Sequence, residues 1–154
     1  MKGSAFLAPL DFMFAASIFD DYEAFVSRVP DAGMTAIVFE FVPFHKLLLV
    51  PQGATAFANR GAYGNLLFLP GWFDLENDGE CREWPRLMAE KGSKEFKRRS
   101  KDENKQAGVG QYANYDGYNQ SPEALFGKNS PRLAELKKKW DPDNVFRKGP
   151  RLTE

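Results

Sequence analysis

From Ile18 onward, apolar side chains recur at Phe19, Tyr22, Phe25, Val26 and Val29. That three-to-four-residue spacing lays one stripe along a helix. Ser17 or Asp20 supplies an oxygen for the free amides of its first turn, and Pro30-Asp31-Ala32-Gly33 ends the pattern. The next segment changes period. Thr35-Ala36-Ile37-Val38-Phe39-Glu40-Phe41-Val42 is β-branched and aromatic and stops at Pro43, which predicts a strand. Alternation puts Ile37, Phe39 and Phe41 on one face and Val38, Glu40 and Val42 on the other, so Glu40 is a carboxylate among apolar neighbours. A stretch punctuated by Pro and Gly, from Val50 to Gly61, separates this strand from a second at Tyr63 to Leu69, closed by Pro70-Gly71.

Helical spacing returns with Trp84, Leu87 and Met88, and Pro85 is expected in the first turn, where its missing N–H is not needed. From Lys91 to Ala107 the chain is highly charged and weakly apolar, as in a solvated helix end and loop. Ser121-Pro122-Glu123 and Asn129-Ser130-Pro131 are two further helix starts. The second leads to Leu133, Leu136 and Trp140 on one side, with Lys137, Lys138 and Lys139 facing the negative end of the helix dipole. Asp141-Pro142-Asp143-Asn144 breaks it. Strands and helices mixed without strict alternation predict an α+β fold, an antiparallel sheet with helices packed on one face.

Composition narrows the function classes. With 154 residues, 43% hydrophobic and 27% charged, the chain suits one globular domain. Its 14 phenylalanines suit bulky core packing, and equally a pocket for a flat apolar ligand. Basic and acidic residues balance at 21 each, so no overall field draws the chain to nucleic acid or to an anionic membrane. The basic positions between Lys94 and Lys105 interleave with Glu95, Asp102 and Glu103 and read as a solvated face. One cysteine, Cys81, and one histidine, His45, exclude an internal disulfide and a Cys/His zinc cluster, and no metal site is expected. The apolar start is interrupted by Pro9 and Asp11 and lacks a cleavage site, so the expectation is a cytoplasmic protein without a signal peptide or membrane span.

Four segments then fall in a specific order: Tyr112-Ala113-Asn114-Tyr115-Asp116, Leu125-Phe126-Gly127-Lys128-Asn129, Arg132-Leu133 with Leu136-Lys137, and Trp140-Asp141-Pro142-Asp143-Asn144-Val145-Phe146. Together they resemble the C-terminal signature of the berberine-bridge-like FAD-linked oxidases, nearest to fungal members of secondary-metabolite pathways. Upstream, Thr55-Ala56-Phe57-Ala58-Asn59-Arg60-Gly61 looks like the family's Thr-x-Phe-x-x-Arg-Gly segment. The resemblance divides the chain into residues 1–110, part of a substrate-binding-type α+β domain, and residues 111–154, the berberine-bridge-like C-terminal segment, packed as one domain. In this family an N-terminal domain holds the flavin. The sequence has no Gly-rich loop leading a helix that could cradle a pyrophosphate.

The resemblance implies FAD chemistry in which the flavin takes hydride while protein groups position the substrate and handle protons. Tyr112, Asn114 and Tyr115 match the motif that lies near the isoalloxazine: Tyr112 is a candidate proton carrier, and Asn114 and Tyr115 are cofactor contacts if a FAD domain is supplied. Read otherwise, they are strand residues locking the tail onto the sheet. Glu40 is a candidate base or substrate anchor, or else an exposed edge carboxylate or a partner of Arg60. Asn59 and Tyr63 are candidate substrate contacts, and Asn59 stands where many relatives place a histidine. Arg60 reads as an anchor of its loop.

The functional expectation is a truncated or split FAD-linked oxidoreductase, not a competent flavin oxidase alone and binding no cofactor by itself. Two alternatives stay open: a cofactor-free cyclase or isomerase using the remnant pocket, and an interaction module. Expected partners are a small apolar or polyketide-like molecule and a second copy or a FAD domain.

Overall fold

Strand- and helix-forming segments take up most of the positions that the pattern assigns them, but two helices begin well before their apolar stripe does. The computed structural model describes residues 1–102, 111–116 and 120–152. In chain order the elements are β1 (Lys2–Leu7), α1 (Phe12–Arg28), β2 (Ala36–Glu40), α2 (His45–Leu48), β3 (Tyr63–Leu69) and α3 (Asp78–Asp102). Three short helices follow: α4 (Ala113–Asp116), α5 (Pro122–Phe126) and α6 (Ser130–Trp140). The chain is α+β, and it divides into two compact units, Met1–Val42 with Tyr63–Lys105 and Pro43–Ala62 with Gln106–Glu154.

The first unit is built on a three-stranded antiparallel sheet in the order β1-β3-β2. Its register pairs Phe6 with Gly64, Phe39 with Leu66, Ile37 with Phe68 and Glu40 with Asn65. Phe6, Leu66 and Phe68 therefore share a face with Ile37 and Phe39, and α1 and α3 supply the rest of the core over it. From α1 come Phe14, Ile18 and Phe25, spaced along one stripe; from α3 come Cys81, Trp84 and Met88. Phe25 lies parallel to the Trp84 indole at 4.6 Å, and Phe68 meets that indole edge-on at 5.9 Å. Such aromatic pairs add roughly 0.5–1.5 kcal/mol to the burial itself.

The N-terminal segment is a strand rather than a loose lead-in, and α1 starts at Phe12, six residues before the expected stripe. The reason is Asp11, whose carboxylate accepts from the Phe14 amide at 2.7 Å and caps the first turn. Helix α3 likewise starts at Asp78, so Pro85 lies inside the helix and not in its first turn. Interior proline removes one helical hydrogen bond and crowds the preceding turn, at a cost of about 3 kcal/mol. Burial of Trp84 and Met88, just before and one turn after Pro85, in the core offsets that cost. Gly92 lets α3 press onto the sheet, since a Cβ there would collide with the Ser4 hydroxyl. Lys91 ties α3 to α1 through the Ser17 carbonyl and the Asp21 carboxylate.

The second unit relies on different bonds. Ser121 caps α5 through the Ala124 amide, as the sequence pattern suggests. Asn129, which reads as a cap for α6, makes no such bond. It is buried, and its amide donates to the Gln52 and Thr55 carbonyls at 3.0 and 2.9 Å. That bond pair fastens the loop around the 3-10 turn Gln52–Ala54 to the start of α6. The Tyr112–Asp116 segment is not a strand; Ala113–Asp116 forms the single turn α4.

Candidate functional site

Four of the six residues singled out by sequence lie in the second unit. Phe57, Ala58, Asn59 and Arg60 run along a loop beside the Gln111–Tyr115 segment. Asn59 is only 7% exposed; its amide donates to the Gln111 carbonyl, and its Oδ1 has no partner among the described residues. Arg60 is 9% exposed, donates from Nη2 to the Thr55 hydroxyl at 2.8 Å and covers the Phe57 ring at 5.5 Å. Its Nε is also buried without a partner. Arg60 is thus the loop anchor that the sequence suggests, with one donor left over.

The Tyr112 ring stands edge-on to Phe57 at 6.3 Å and to Tyr115 at 4.9 Å. Its hydroxyl accepts from the Asn114 amide at 3.0 Å, which leaves its own proton available to an acceptor. An unpaired buried polar atom costs roughly 1–3 kcal/mol.

Glu40 and Tyr63 lie in the first unit. Glu40 closes β2 and accepts from the amide of Asn65, its register partner on β3, at 3.0 Å. That bond ties the carboxylate to the sheet edge. Tyr63 opens β3, is buried, and meets Phe96 edge-on at 5.4 Å. Its hydroxyl has no partner, and burial pushes its pKa up, so it keeps its proton and is a poor base.

A groove of about 800 Å³ runs between α1 and α3, lined by Phe14, Ser17, Leu87 and several charged side chains. None of the six predicted residues lines it. Its cations are already engaged, Lys91 with Asp21, Lys94 with Glu90 at 2.7 Å and Arg98 with Glu95 at 2.8 Å. Of the basic run from Lys94, Lys94 and Arg98 form intrahelical pairs and Arg99 donates to the Leu7 and Pro9 carbonyls; Glu103 to Lys105 lie outside the described residues. Among the described residues, no helix is long and apolar enough to cross a membrane.

Residues 111–149 match the family model described as berberine and berberine like. The chain carries a berberine-like segment. Most of its length is also similar to FAD-linked oxidoreductases. It is 29% identical to FAD-linked oxidoreductase alt4 of Alternaria solani, across 96% of this chain and 30% of that protein. It is 33% identical to FAD-linked oxidoreductase OXR1 of Pyricularia oryzae and 28% identical to FAD-linked oxidoreductase srdI of Neurospora crassa, across 85% and 83% of this chain and 25% of each relative. The chain therefore spans between a quarter and a third of the length of the curated relatives it matches. No solved structure matches it. The berberine-like segment contains Tyr112, Asn114 and Tyr115, and Asn59 reaches it from the earlier loop through the Gln111 carbonyl.

Sequence reasoning missed the role of Asn129, because a helix-start pattern explains its position without invoking Gln52 and Thr55. It also missed the apolar exposure around the end of α6. Trp140, Val145 and Phe146 are 73%, 71% and 83% exposed.

Proposed function

We propose that this chain supplies the proton-handling and closing surfaces of an FAD-linked oxidoreductase, and that oxidation needs a flavin-binding partner or domain in addition to residues 1–154. The observation that carries the reading is the bond from the buried Asn59 to Gln111 of the berberine-like segment, beside the edge contact of Phe57 with Tyr112. When bound, the flavin supplies the hydride acceptor. The chain's own residues do the remaining work. Tyr112, held by Asn114, offers a hydroxyl proton toward the ligand; Asn59 Oδ1 accepts from a ligand N–H or O–H; Arg60 fixes the loop bearing Asn59. The Phe57, Tyr112 and Tyr115 rings provide apolar edges for a flat substrate or cofactor ring. Asn114 and Tyr115 contact the cofactor only in the presence of that partner, and the substrate is of the small apolar or polyketide-like class.

Two measurements test this. Titration of the purified chain with FAD is expected to give no stoichiometric yellow complex; tight one-to-one binding would refute the need for a partner. Co-expression with a relative trimmed of the matching region is expected to restore substrate-dependent flavin reduction, and Tyr112→Phe to slow it by about 10²–10⁴-fold. If the untrimmed relative reduces its flavin under the same conditions and the trimmed pair does not, the proposed role is wrong.

A further inference from the structure

The last residues of α6 and the segment after it form a hook that plays no part in the proposed oxidoreductase role. Asp141 follows α6 and gathers three donors: the Val145 amide at 2.7 Å, the Phe146 amide at 3.1 Å and the Lys137 ammonium. Lys137 also donates to the Phe146 carbonyl at 2.8 Å. These bonds hold the Asp141 carboxyl below its ordinary pKa, with Lys137 the main cause, so the clamp is charged at neutral pH. The backbone turns through the left-handed region twice, at Asn144 (φ 50°) within the clamp and at Gly149 (φ 133°) beyond it. The second value suits glycine, because a Cβ strains that conformation.

The result is a recess of about 330 Å³ walled by Lys137, Phe146, Arg147, Pro150, Arg151 and Leu152. Its charge is lopsided. Lys137 is committed to Asp141 and the Phe146 carbonyl, yet Arg147 and Arg151 have no carboxylate partner among the described residues. Two arginines without a carboxylate partner that line one recess, beside an exposed aromatic ring, offer a receptor for an oxyanion that carries an apolar body. We infer that this hook is a binding site for a small anion, with a phosphate or carboxylate head held by Arg147 and Arg151 and an apolar part against Phe146. The inference stands independently of the oxidoreductase reading, because it uses none of the same side chains.

The test is calorimetric titration of the full chain with phenyl phosphate and, separately, with benzoate. Saturable one-site binding of at least one is expected; the tighter of the two identifies the head group. Arg147→Ala with Arg151→Ala is expected to weaken binding by about tenfold or more. Lys138→Ala with Lys139→Ala removes the same charge outside the recess and is expected to cost less than about threefold. Gly149→Val changes no charge but opposes the left-handed turn, and is expected to weaken binding by about tenfold. Saturable binding by neither anion overturns the site. So does equal weakening by the two double variants, or an unchanged Gly149→Val, since either reveals attraction to a basic tail rather than a built recess.

Discussion

The two units of this chain are stabilised in opposite ways. The first buries its aromatic and aliphatic residues against one sheet face, with Ile18, Phe25, Leu66, Phe68 and Cys81 fully out of water. The second buries fewer apolar residues, Ala58 and Leu125 among those described, together with the polar Asn59, Arg60, Asn129 and Ser130, and leaves Phe57, Trp140, Val145 and Phe146 at the surface. Burial of apolar surface is non-directional and tolerates a range of shapes. Side-chain amides donating to backbone carbonyls fix geometry, but each gives only about 0.5–1.5 kcal/mol net. The unit that carries the berberine-like segment is thus the less deeply cored of the two.

Truncation in the first unit is the most severe way to break this contrast. Phe25→Ala removes the ring stacked on Trp84 and is expected to destabilise the fold by about 3–5 kcal/mol, with loss of near-ultraviolet tryptophan signal in a urea melt. A cost below about 1 kcal/mol would mean that this core does not carry the unit. In the second unit, Asn129→Ala leaves the Gln52 and Thr55 carbonyls without their donor, for an expected loss of about 1–3 kcal/mol. Hydrogen exchange should then rise around residues 52–55 while the β3 amides stay protected. Uniform loss of protection would erase the distinction between the units.

The smallest effect concerns a device the units share, a carboxylate that collects backbone amides. In the first unit Asp31 Oδ2 accepts from the Phe73, Asp74 and Asn77 donors at 3.1, 2.8 and 3.1 Å. Asp141 does the same in the second. Both carboxyls sit below the ordinary value of 3.8, Asp31 chiefly through the Asp74 amide and Asp141 chiefly through Lys137. A depressed folded-state pKa contributes stability that is fully present above the unfolded value and is lost as pH falls through the folded one. Unfolding midpoints measured at successive pH values should therefore drop once the pH goes below about 3.8, and Asp31→Asn should flatten part of that slope. An unchanged slope would remove Asp31 from the account.

Much of this was legible from residue pattern. The β3 limits at Tyr63 and Leu69, the Ser121 cap and the α+β class follow from period, capping chemistry and turn residues, which act over a few positions. The early starts of α1 and α3 were not. Asp11 is an ordinary cap residue, but the apolar stripes begin later, and Pro85 looks like a helix start when taken alone. Among the candidate residues, strand alternation marked Glu40 and the family resemblance marked Tyr112, yet neither gave a sign that Asn65 ties down the first and Asn114 the second.

What the sequence determined unaided is local: which segments alternate, which carry a helical stripe, and which string of residues bears the berberine-like signature. Only the tertiary structure decided which polar atoms are spent and which are free. Asn59 and Gln111, or Asn129 and Thr55, are far apart along the chain, and a hydrogen bond depends on where two groups meet in space and not on the residue types that could make it.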